Sequence, residues 1–282
     1  MHPLDGSFLK LSRARYHFQA VSGLIEGFFK RDPYQIINEI ETNGNTREYV
    51  LRFKQLEAIP TDVPLIIGDI CNNLRSALDH LLWQLWLLQY PTFGELVYFP
   101  IFDGERAFVS ASPGNIGPRK SKRIGVDTVS LTDNQRAIIH SLQPYETRNP
   151  ALSFLRDLNG SDKHRLIQII FLTGKIKSLS LTVDTTNAIL QVPLPDHIPV
   201  QTVNNIKVEH DTVLHRVPVK NLSLGSKVQV KSRGHIQFAF EGCKTAHGQI
   251  VYGTIVAMIS EVTRCITLFE SEFAEFGVSK FK

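Results

Sequence analysis

Apolar positions recur at different intervals along this chain, and each change of interval marks an element. Ser12–Lys30 reads as a first helix. Isoleucine-rich Tyr34–Glu41 and alternating Tyr49–Lys54 flank Asn43-Gly44, a tight-turn pair, which predicts a β-hairpin over 34–54. Pro60 and Pro64 bracket the start of a long helix that runs to Gln89 and stops at Pro91. Residues 91–128 carry Pro100, Pro113, Gly114, Gly117 and Pro118 and read as a loop-rich crossing. Thr132–Leu142, capped by Thr132 or Asp133, and Pro150–Asn159, with proline in its first turn, are shorter helices. From Leu166 the period becomes two: Leu179, Leu181 and Val183 alternate, as do Val213, His215, Val217 and Val219. Val228 and Val230, then Ile236, Phe238 and Phe240, flank a turn at Ser232–Gly234. Ile255, Ile259, Val262, Ile266, Phe269 and Phe273 then return to helical spacing, closed by Gly277.

This order predicts one α+β domain over 1–282. A mainly helical part spans 10–165, the hairpin included. An antiparallel β region at 166–242 is inserted before a C-terminal helix at 248–277. That helix must bury its Ile/Phe stripe, either on the earlier helices or across a dimer.

Composition changes this picture little. A chain of 282 residues with 43% hydrophobic and 21% charged residues has ordinary globular usage, which excludes collagen-like, mucin-like and wholly disordered classes. A net charge of +4 permits a nucleic-acid partner without requiring one. Cys71, Cys243 and Cys265 are odd in number and far apart, which fits a reducing compartment rather than a disulfide framework. Residues 1–11 do not read as a signal peptide, and the greasy stretch Leu81–Tyr90 is about half a bilayer span. The expectation is a cytoplasmic protein without a membrane partner.

The long helix holds the candidate chemistry. On a helical wheel Ile70, Leu74, Leu78, Leu81, Leu82 and Leu85 cover one arc. The other holds Asp69, Asn72, Asn73, Arg75, Ser76, Asp79 and His80. Asn, Ser and Asp are poor helix formers, where a merely solvated face would carry Lys and Glu. Beyond His80 the same arc turns apolar at Trp83, Trp86 and Leu87, as if the polar patch lined a pocket. The residues also admit a structural reading: Arg75 with Asp79, and Ser76 with His80, are i,i+4 pairs that can bond each other. A second cluster, Asn159, Asp162, Lys163, His164 and Arg165, stands where a helix gives way to the β region. Lys, His and Arg there can simply complement the helix dipole. If Asp162 and His164 met Asp79 and His80, four nitrogen and oxygen ligands would suit a divalent metal, although the spacing is no metal motif and no cofactor is expected. Arg119–Arg123, with four cations in five residues, reads as a solvated loop or an RNA-steering patch.

The chain resembles a family of uncharacterised bacterial proteins. The match rests on Gly68-Asp69, on Asn73-Leu-Arg-Ser-Ala-Leu-Asp-His-Leu81, on Phe99-Pro100-Ile101 and on Asn159 with Asp162-Lys-His-Arg165, across residues 10–170. Asn72 stands where many relatives have His. A weaker resemblance is to HEPN ribonucleases, whose sites carry Arg, four to six residues, then His on a helix. Arg75-Ser-Ala-Leu-Asp-His80 meets that pattern at its shortest spacing. It implies a HEPN-like helix bundle, a homodimer with a shared site, and metal-independent RNA cleavage of the toxin or phage-defence kind. His80 would be the general acid/base, Arg75 would bind phosphate and Asp79 would orient one of them. Asp69, Asn72, Asn73, Ser76 and the 159–165 cluster would support the site or bind substrate. Five residues set Arg75 and His80 about 140° apart on an ideal helix, so a second protomer or a long arginine reach is needed. The rival expectation is a non-enzymatic protein that binds a ligand or partner in a polar pocket on the 61–90 helix.

Overall fold

The structure, a computed structural model, describes residues 2–44, 46–89, 98–110, 131–173, 178–185, 188–191, 207–218, 227–233 and 236–281. The fold is α+β with antiparallel strand pairs. It divides into two compact units. One comprises Met1–Leu24, Thr61–Gln168 and Glu241–Lys282; the other comprises Ile25–Pro60 and Ile169–Phe240.

The first unit is helical. α1 (Asp5–Phe29) begins two turns before the predicted Ser12, because Leu4, Phe8 and Leu11 already continue its buried stripe. Its last turn belongs to the second unit. α2 (Asp62–Gln89) is the long helix that its flanking prolines predict. Short α3 (Glu105–Ser110), α4 (Asp133–Ser141) and α5 (Pro144–Thr147) follow. At the start of α4 the Gln135 N–H donates to Thr132 Oγ1 while the Thr132 N–H donates to Gln135 Oε1, a reciprocal cap. α6 (Ala151–Asp162) runs one turn past the predicted Asn159. α7 (Val251–Leu268) packs on α2 and α6. Ile70, Leu74, Leu78, Leu155, Leu158, Ile255, Val262 and Ile266 form the core of this unit, all fully buried.

The C-terminal stripe is not one helix to Gly277. The α-helix ends at Leu268 and a 3-10 segment, Glu270–Phe276, takes over, with Phe269 and Phe273 off helical geometry. Both rings are fully buried, and the change of helix type keeps them facing inward. α7 has the length and mean hydropathy, 1.3, of a bilayer span, yet 44% of that window is buried inside the protein.

The second unit is built from strands β1 (Tyr34–Asn43), β2 (Thr46–Gln55), β3 (Gln168–Thr173), β4 (Ser178–Thr185), β5 (Ala188–Gln191), β6 (Lys207–Val208), β7 (Val213–Pro218), β8 (Lys227–Arg233) and β9 (Ile236–Glu241). Among the described residues they form three three-stranded sheets, ordered β1-β2-β7, β6-β3-β9 and β5-β4-β8. The hairpin pairs through β2 with β7, so it groups with the later strands rather than with the helical part. A two-stranded hairpin alone is marginal, and β7 supplies the third strand. Asn43 pairs with Thr46, which places Gly44, at φ +59°, first in the loop rather than second. Phe28, Phe29, Phe53, Phe171 and Phe238 stack with ring centroids 5.0–6.5 Å apart and form the core of this unit. The basic loop Arg119–Arg123 and Val219 lie outside the described residues.

Candidate functional site

All of the candidate residues lie in the helical unit, and α2 distributes them along three directions. Arg75 and Asp79, one turn apart, form an ion pair of 3.0 Å. Together they grip Phe99: its N–H donates to Asp79 Oδ1 at 2.8 Å and its C=O accepts from Arg75 Nη2 at 2.7 Å. The two side chains are only 14% and 20% exposed. Burial pushes the Asp79 carboxyl up, against the opposing pull of Arg75 and of the Phe99 N–H. This is the i,i+4 pair that the spacing anticipates, fixed to a backbone that the spacing could not reveal. Arg75 Nη1 takes part in neither bond.

His80 points elsewhere. It lies against Gly6 of α1, where a Cβ would stand 2.7 Å from Nδ1. It is exposed, and no described residue hydrogen-bonds its ring. Partial burial lowers its pKa, Lys10 of α1 lowers it further, and Asp79 opposes both. The Ser76–His80 bond that the spacing allows does not form. Arg75 and His80 thus diverge within one chain.

The third direction faces α6. The Asp162 carboxylate lies over Gly68, where a Cβ would collide with it, so any other residue there would displace the carboxylate. Among the described residues no group hydrogen-bonds or pairs with the Asp162 carboxylate. Burial raises its pKa and the neighbouring charge of Asp69 raises it further. Asn159, one turn earlier on α6, is buried, and its side-chain amide hydrogen-bonds no described residue. Asn73 Nδ2 donates to the Asp69 carbonyl at 2.8 Å, a local bond within α2. Asn72 is exposed and Ser76 half-buried.

The two sequence clusters therefore meet, but only in part. Asp69 and Gly68 meet Asp162, and Lys163 is close enough to Asp79 to influence its charge. His164 and Lys163 are exposed beyond the end of α6, and Arg165 reaches the carbonyl of Gly242 at 2.5 Å. Asp79, His80, Asp162 and His164 do not form one cluster. Among the described residues no group of three or more His, Cys, Asp or Glu is placed to hold a metal ion. Cys71 is fully buried and its thiol is pushed up by burial, by Asp162 and by Cys243, so it is inert despite its place in the motif.

Sequence reasoning missed Lys10, Gly6 and the Phe99 backbone. The first two lie in a turn it left outside α1; the third carries no side-chain signal. Comparison with protein-family models, with curated proteins and with solved structures yields no match.

Proposed function

We propose that this is a binding protein, with no chemistry of its own, that takes a small hydrogen-bonding ligand on the α2–α6 face of its helical unit. One observation carries the reading: Asp162, set over Gly68, and Asn159, one turn earlier on α6, leave their side-chain polar atoms without a hydrogen bond to any described residue. Those atoms are open to a partner from outside the chain. Asp162 and Asp69 present acceptors and Asn159 presents both roles, so the ligand donates hydrogen bonds at one end. The free, buried cysteines are in keeping with a cytoplasmic setting.

The reading makes a ligand-independent prediction. Asp162→Ala should leave stability unchanged or raise it by up to about 1 kcal/mol in urea denaturation. A loss of about 1 kcal/mol or more would mean that the carboxylate is bonded within the fold and would overturn the reading.

A second reading keeps the HEPN likeness: cleavage of RNA by a homodimer without metal. The observation in its favour is His80, exposed, unpaired among the described residues and held below its ordinary pKa, as suits a neutral base that takes the proton of a 2′-hydroxyl. Because Arg75 turns away, the phosphate would be bound by Arg75 of a second copy. Labelled RNA should then be cut in EDTA to cyclic phosphate ends, and His80→Ala should abolish cutting. Intact RNA across a broad panel, with folded wild type, removes this reading and leaves the first.

A further inference from the structure

α1 and α7 touch along a seam in the helical unit. Arg15 Nη2 of α1 donates to Thr263 Oγ1 of α7 at 3.2 Å, and the Phe18 ring meets that of Tyr252 at 5.1 Å. Apolar side chains of both helices stand in solvent. Tyr16 is 60% exposed and Tyr252 58%, and Leu9 and Val256 are exposed as well. On α1, Leu9, Arg13, Tyr16 and Ala20 recur at steps of four, three and four, which sets them in one outward stripe, and all four are exposed. On α7, Tyr252, Val256 and Ser260 recur at steps of four and are exposed too. Exposed apolar surface among polar groups marks contact with a partner or a membrane.

The charge on these two helices has one sign at the surface. Lys10, Arg13 and Arg15 fall within two turns of α1, and among the described residues none of them pairs with a carboxylate. Asp5 is buried and bonded to the His2 N–H and to Ser279, and the other acid of α1, Glu26, belongs to its last turn. The one acid of α7, Glu261, is buried and paired with Arg264. The Arg13 guanidinium stands 5.0 Å from the centre of the Tyr16 ring, so charge and aromatic surface are presented together.

We propose that the exposed flank of α1 and α7 docks on the surface of an anionic lipid bilayer. Lys10, Arg13 and Arg15 meet the phosphate and carboxylate headgroups, while Leu9, Tyr16, Tyr252 and Val256 enter the headgroup–acyl boundary, where a tyrosine keeps its hydroxyl wet. Charge complementarity chooses this occupant. A second copy seated on the same flank would set cation against cation. A nucleic acid would use the cations and the tyrosines, but Leu9 and Val256 have no part in binding phosphates and bases. The expectation of no membrane partner rested on the lack of a spanning stretch, and contact with one surface needs none.

The test is co-sedimentation of the full chain with vesicles of phosphatidylcholine alone or with a third of phosphatidylserine. Each cation at an anionic surface is worth about fivefold in affinity, so the three predict a preference for the anionic vesicles of about a hundredfold at low salt. That preference should shrink as salt is raised from about 0.1 M to about 0.5 M. Lys10→Gln with Arg13→Gln should weaken anionic binding about twentyfold. Tyr16→Ser with Tyr252→Ser, both at exposed positions, should weaken it and leave its salt dependence in place. Thermal melting checks that both double variants remain folded. Absence of binding to the anionic vesicles at about 1 mM lipid would overturn the proposal, as would equal binding to the two compositions or an affinity untouched by either folded variant. Binding of a single-stranded oligonucleotide in place of the vesicles, lost in the same variants, would overturn it too, as would a dimer in light scattering that Tyr16→Ser dissolves. None of these outcomes bears on the α2–α6 face.

Discussion

Two turns of the same helix treat their polar groups in opposite ways. At Arg75 and Asp79 the polar atoms are closed into a clasp with each other and with Phe99. At Gly68 and Asp69 the facing Asp162 carboxylate is left open among the described residues. Both stretches carry Asn, Asp and Arg where Lys and Glu would be expected, so residue type alone does not separate them. What separates them is whether a backbone segment arrives to complete the set. The 98–103 segment reaches the clasp. It continues past it to α6, where Asp103 accepts from Arg156 Nη2 at 2.7 Å and pairs with Ser153 Oγ at 2.5 Å. No described segment hydrogen-bonds the open end. Closed and open polar residues are therefore told apart by their hydrogen bonds, not by their identity.

The contrast can be broken most sharply at Asp79. Asp79→Ala leaves Arg75 and the Phe99 N–H unsatisfied and should cost on the order of 3 kcal/mol in urea denaturation. A loss below 1 kcal/mol would mean that the clasp is not holding the segment. The next effect is at Gly68. Gly68→Ala gains about 1 kcal/mol of helix propensity but displaces the Asp162 carboxylate. It should therefore be neutral or destabilising in the wild type and stabilising by about 1 kcal/mol in an Asp162→Ala background. Equal effects in both backgrounds would show that Asp162 does not rest on Gly68.

Two smaller effects follow from charge. The pKa of Asp162 is raised in the fold, so its unfolded form releases its proton first as pH rises. Its contribution is full in acid, below the unfolded carboxylate value, and is lost as pH rises through the folded value. Asp162→Asn should then raise the melting temperature at pH 7 more than at pH 4. The pKa of His80 is lowered, so its contribution is complete above about pH 6.5 and is lost as pH falls through the folded value. His80→Gln should be near-neutral at pH 8 and mildly stabilising at pH 5.5, the smallest change of the series. A large loss at pH 8 would assign the ring a structural bond to α1.

Much of this could be read along the chain, for reasons specific to each element. Flanking prolines set α2, Thr132 or Asp133 marked the start of α4, and alternation marked β4, β7 and β9. The Arg75–Asp79 pair followed from spacing because an i,i+4 contact is local. What was hidden depends on distant chain. The pairing of β2 with β7 joins residues more than a hundred and fifty positions apart. The turn of His80 toward Gly6, and of Asp162 toward Gly68, rests on two glycines whose role is to be absent. Helical periodicity overran at Phe269, because a 3-10 segment also brings every third residue to one side.

The clasp on Phe99 has one more consequence. A side-chain acceptor and a side-chain donor take the N–H and the C=O of a single residue, much as a neighbouring strand would, but from a helix. Such a grip does not read the side chain it holds. Phe99 itself is 1% exposed, so its ring is chosen by the core while its position is fixed independently. Position 99 is thus a place where Leu or Met can be exchanged for Phe at the cost of packing alone, with the path of the segment unchanged.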